Sequence, residues 1–100
     1  MGTQSNQRMS LDSVFRPVMS ALNRLVVQLR DGQPTNGEVD DLWVLLETLP
    51  LSTDEFGLSC NRLCNAHRYL LAKEVGAARW ELKELKLYLQ TRGNGRPCET

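Results

Sequence analysis

Lys73-Glu74-Val75-Gly76-Ala77-Ala78 is the stretch on which the fold turns. Read as a tight connection, it separates two helices, and the small Ala77 and Ala78 let them approach closely. Read as continuous helix, it joins residues 53–92 into one rod of unusual length with Gly76 in its interior, at about 1 kcal/mol relative to alanine. The turn is the preferred reading, because apolar periodicity on both sides is that of ordinary globular helices. The chain is then an all-α, antiparallel four-helix bundle of two helical hairpins. The alternative is three helices with a long last one.

Upstream, Leu51-Ser52-Thr53-Asp54-Glu55-Phe56 is the clearest local signal. Ser52 and Glu55 have the spacing of a capping box, and Leu51 and Phe56 occupy the two positions of a hydrophobic staple. A helix therefore starts at Thr53. Its expected inward stripe is Phe56, Cys60, Leu63, His67, Leu70 and Leu71. Thr35 and Glu38 repeat the box spacing and predict a preceding helix that runs to about Leu49, stopped by Pro50. Leu42-Trp43-Val44-Leu45-Leu46 is apolar around most of that helix, as for a centrally packed element.

The first helix is expected from Leu11, with Val14, Phe15, Val18, Leu22, Leu25, Val26 and Leu29 on one stripe. Pro17 suits only a position near its start, and Asp31-Gly32 supplies the stop. Residues 1–10 read as a polar, disordered leader, 11–92 as the bundle and 93–100, from Gly93-Asn94-Gly95, as a flexible tail.

The last helix has two apolar sides. Val75, Ala78, Leu82, Leu85 and Leu89 form a stripe at steps of three and four. Trp80 and Leu87 stand roughly 180–200° away from it at 100° per residue. One apolar face suffices for a helix on a small domain, so the second implies a contact beyond the protomer. Tyr88 on this helix and Leu58 and Tyr69 on the preceding one complete the candidate interface.

Composition narrows the function classes. Twelve basic and twelve acidic side chains cancel, so no global charge points to nucleic acid or anionic membrane. The distribution is uneven: residues 32–55 carry Glu38, Asp40, Asp41, Glu47, Asp54 and Glu55 with no Lys or Arg. Arg79, Lys83 and Lys86 line a third side of the last helix and are the candidates for an anionic partner, although Glu81 and Glu84 dilute them. Cys60, Cys64 and His67 stand at i, i+4 and i+7 and are ligand types that zinc or nickel selects. A closed site needs a fourth ligand, and Cys98 alone remains among soft ligands. Cys60 is equally a small apolar residue of the stripe.

No nucleophile–base set or phosphate loop is present, and the early carboxylates of the second and third helices suit the helix dipole. The expectation is a protein that is no enzyme and takes no cofactor. Three cysteines make no disulfide framework, no apolar run reaches 18 residues, and no secretion signal is present, which points to the cytoplasm and away from membranes. Asn6 stands where an acylation signal from Gly2 requires Ser or Thr.

Leu46-Glu-Thr-Leu-Pro-Leu-Ser52, Asn61-Arg-Leu-Cys-Asn-Ala-His-Arg-Tyr-Leu70 and Gly76-Ala-Ala-Arg-Trp-Glu-Leu82 together resemble a small bacterial family of uncharacterised, Rop-like helical bundles. The resemblance covers about residues 11–90 and implies a four-helix bundle; it carries no activity and no functional residue. The function expected is thus a protein–protein interaction or adaptor module, self-associating through its last helices. A small nucleic-acid-binding regulator and a metal-binding sensor are the alternatives.

Overall fold

The computed structural model describes residues 3–33 and 37–93, with side chains from Val14 to Arg92 within those spans. Four helices follow one another: α1 (Thr3–Arg30), α2 (Glu38–Glu47), α3 (Thr53–Leu71) and α4 (Val75–Gly93). Among the described residues there is no strand. The helices form a ring, in which α1 meets α2 and α4, and α3 likewise meets α2 and α4. The described residues form a bundle of four helices, not three.

The core follows from leucine spacing. Phe15, Val18, Leu22, Leu25 and Leu29 of α1 are buried against Val39, Leu42 and Leu46 of α2, Leu63 and Ala66 of α3, and Ala78, Leu82, Leu85 and Leu89 of α4. Each buried leucine contributes about 1.5–3 kcal/mol of apolar transfer energy. These packed faces supply most of the stability of the helices.

α1 begins at Thr3, well before the expected start at Leu11, so the stretch read as a leader is helical from its third residue. Pro17 accordingly lies inside the helix, where its ring leaves the carbonyl four residues back without an N–H donor. The end of α1 is as expected. Gly32 takes φ 74°, its N–H reaches the Leu29 carbonyl at 3.1 Å, and the Gln33 N–H reaches Gln28 at 2.9 Å. That pair of bonds is a Schellman closure.

α2 departs from expectation at its start. Gly37, at φ 87°, is the residue before the helix, and no side chain caps it. Glu38 is therefore the first helical residue and not the third, and its carboxylate instead accepts a 3.1 Å bond from Gln28 Nε2 on α1. Thr35 lies outside the described residues. Nor is α2 wrapped on all sides: Val44 is 61% exposed, with Trp43 and Leu45 half-buried.

α3 opens as its sequence dictates. Ser52 Oγ accepts from the Glu55 N–H at 3.1 Å, and the Ser52 N–H donates to Glu55 Oε1 at 2.9 Å. Leu51 and Phe56 both pack against the core. The break before α4 is real, though its left-handed residue is Lys73, at φ 63°, and Gly76 sits in the first turn of α4. The Lys73 N–H bonds the Leu70 carbonyl at 3.0 Å and the Glu74 N–H the Tyr69 carbonyl at 2.8 Å, a second Schellman closure. The α3–α4 connection thus keeps its hydrogen bonds while holding a lysine where glycine is the relaxed choice.

Candidate interaction surface

The α3–α4 hairpin positions the candidate residues. Its inward seam on α3 is Ser59, Leu63 and Ala66, all at 0% exposure, flanked by half-buried Phe56, Cys60 and Leu70. This is a rotation of the expected stripe, and it corrects two members: His67 and Leu71 face solvent. Small Ser59 and Ala66 oppose a partner helix that buries Ala78, Leu82 and Leu85, and close approach favours small side chains at such contacts. Ser59 Oγ is buried there without a hydrogen-bond partner among the described residues. On α4, Ala78, Leu82, Leu85 and Leu89 are buried as expected, whereas Val75, at the helix start, is exposed.

Charged side chains tie the two helices together across the seam. Arg62 Nη1 of α3 donates to Glu81 Oε1 of α4 at 2.9 Å, and Arg92 Nη1 of α4 donates to Glu55 Oε2 of α3 at 2.9 Å. Pairing 55 with 92 and 62 with 81 means that these two helices run in opposite directions. Each guanidinium also covers an aromatic ring of α4. Arg62 lies 5.3 Å from the Trp80 centroid and Arg92 5.2 Å from that of Tyr88, within cation–π range.

Glu81 belongs to the buried face: its side chain is 7% exposed, against 40% for Arg62. A carboxylate so placed needs its cation, since an unpaired buried charge is costly. Glu55 is held below the ordinary glutamate value. The Ser52 backbone N–H is the largest cause, opposed by partial desolvation and reinforced by Arg92.

Between the ion pairs lies an open groove of about 580 Å³, whose lining includes Leu58, Arg62, Glu84, Leu87 and Tyr88. Leu58 is 55% exposed, Leu87 57% and Trp80, at the groove's end beside Arg62, 53%. Tyr88 and Tyr69 differ from these three, because both are half-buried and pack on the core. The structure thus brings Leu58, Leu87 and Tyr88 onto one groove, with Trp80 beside it; Tyr69 is not among the residues that line it. Arg62, Glu84 and the two ion pairs are features that sequence spacing did not announce. They depend on which faces of α3 and α4 meet, and no local motif encodes that.

The remaining candidates are dispersed. Of Arg79, Lys83 and Lys86, Lys83 alone is exposed; the other two are half-buried, and Arg79 Nε is buried without a partner among the described residues. Cys60 and Cys64 are half-buried free thiols and His67 is exposed. Among the described residues, no three His, Cys, Asp or Glu side chains gather closely enough to hold a metal ion. Cys98 lies outside the described residues. Burial pushes the Cys60 thiol up, helped by the Glu47 carboxylate and by Cys64, which disfavours the thiolate a metal would need.

Among the described residues, no helix is long and apolar enough to cross a membrane. No family model, curated protein or solved structure matches the chain.

Proposed function

We propose that the chain is a non-catalytic interaction module that self-associates through α3 and α4. The observation that carries this reading is the exposure of Leu58 and Leu87 in one groove of the α3–α4 hairpin, with exposed Trp80 beside it under Arg62, all three outside the buried core. A tryptophan held in water is a typical anchor of protein interfaces, and Leu58 and Leu87 add apolar area near it. Each is a little over half exposed, so covering the rest contributes roughly 1–1.5 kcal/mol before the cost of association. A surface that carries both charge signs beside its apolar residues, as Arg62 and Glu84 do here, suits contact with a copy of itself. The free thiols of Cys60 and Cys64 suit a reducing compartment such as the cytoplasm.

Sedimentation or light scattering over a range of concentrations tests the proposal. The wild-type chain is expected to exceed the mass of a monomer, and Trp80→Ala to return it to that mass with its helix content unchanged. If Trp80→Ala keeps both the assembled mass and the fold, self-association through this surface is wrong.

A further inference from the structure

Glu84 stands one turn beyond Glu81 on α4 and lines the groove half-buried. Unlike Glu81, it has no cationic partner among the described residues, although Arg62 lines the same groove from α3. Arg62 is only partly used. One of its five N–H donors holds Glu81, one face of the guanidinium covers Trp80, and 40% of the side chain remains exposed. The groove therefore presents an anchored cation with spare donors and, on the facing helix, a carboxylate lacking one.

A two-fold contact satisfies both at once, because in an isologous interface residue i meets j while j meets i. This step rests on the self-association proposed above. We propose that Arg62 is the specificity-determining residue of the α3–α4 surface: fixed over Trp80 by buried Glu81, it gives its spare donors to Glu84 of a second copy, and the pair forms twice per dimer. The fork is prepared before contact, since Glu81 and the Trp80 ring restrict the side chain in the free protomer. Less rotamer freedom is then lost on association. Trp80, Leu58 and Leu87 supply the apolar burial, and the two ion pairs fix the register.

Sedimentation equilibrium on the full chain, with circular dichroism and thermal melting to check each fold, tests the pairing. Glu84→Gln is expected to raise the dimer Kd about tenfold and to flatten its dependence on salt. Glu84→Arg, which sets guanidinium against guanidinium, should stay monomeric at a hundred times the wild-type Kd. Arg62→Lys should fall between wild type and Glu84→Arg, because an ammonium cannot reproduce the planar fork. If both Glu84 variants dimerise as tightly as wild type while Trp80→Ala dissociates, the surface is right and the pairing is wrong. If Trp80→Ala also dimerises normally, or if the wild-type chain stays monomeric throughout, the surface fails and the pairing fails with it.

Discussion

The α1–α2 and α3–α4 contacts are built from different materials. The α1–α2 side brings buried Leu22, Leu25 and Leu29 into one core cluster with Val39, Leu42 and Leu46, with a hydrogen bond from Gln28 to Glu38 between the helices. Between α3 and α4, small Ser59, Ala66 and Ala78 alternate with leucine, and two arginines cross the seam to carboxylates on the opposite helix. The first contact is a hydrophobic joint. The second is a joint whose outer rim is also ordered, since each crossing guanidinium lies on an aromatic ring. The more exposed pair of this rim, Arg92–Glu55, adds little to folding, under about 1 kcal/mol, whereas Arg62 also neutralises the buried Glu81. The ordered rim matters for presenting a surface.

The strongest way to break this contrast is to cut into the apolar layer that both contacts share. Leu46→Ala on α2 and Leu82→Ala on α4, both fully buried, should each cost about 3 kcal/mol in denaturant unfolding. A result under about 1 kcal/mol at either site would show that its contact is loose.

The rim itself is tested next. Arg62→Ala strands Glu81 in its buried position and should cost about 2 kcal/mol, less than a fully buried pair because Arg62 is partly exposed. Glu81→Gln should cost less than that, since it leaves no unpaired buried charge. The reverse order would mean that Arg62 serves mainly to pack on Trp80.

A smaller effect separates the capped helix start from the rim. Ser52→Ala should cost about 1 kcal/mol by removing the side-chain acceptor at the α3 start. The pH dependence follows from Glu55, whose folded value is lowered. Its contribution is fully present above the ordinary value of 4.5 and is lost as pH falls through the folded value. Glu55→Gln should therefore flatten the stability curve on the acid side of that value and leave its shape at neutral pH unchanged.

The smallest effect lies at the turn. Lys73→Gly relieves a left-handed lysine and should stabilise the chain by about 0.5–1 kcal/mol, read as a rise in melting temperature. A loss of stability would show that the lysine side chain is doing something at the turn besides tolerating its backbone.

Local chemistry was legible in the sequence wherever it did not depend on a neighbour. The Ser52–Glu55 box, the Gly32 stop and the Ala78–Leu82–Leu85–Leu89 stripe all stand where their spacing put them. The exposure of Trp80, Leu87 and Leu58 was equally readable, because the core stripes leave them no room inside. What failed depended on partners. The Thr35–Glu38 spacing imitates a capping box, yet α2 starts at Glu38 behind a left-handed Gly37. The inward face of α3 runs through Ser59 and Ala66, which no hydrophobic pattern marks, and so His67 and Leu71 were misplaced by a fraction of a turn. The left-handed residue of the α3–α4 turn is a lysine, which no turn propensity marks. Arg62, Glu84 and the crossing ion pairs appear only once α3 and α4 are set side by side.

The ring order of the helices also governs when the fold can form. α4 is wedged between α3, its neighbour in sequence, and α1, its most distant one. Contacts between segments so far apart close a long loop, which slows folding more than it weakens the product. During synthesis α1, α2 and α3 are made before α4 and leave the ribosome ahead of it. Until it arrives, the leucines that α4 will cover have no lid, and a nascent chain in that state is a candidate for chaperone capture or premature pairing with its siblings. The helix that carries Trp80 outward is thus also the one whose arrival completes the core.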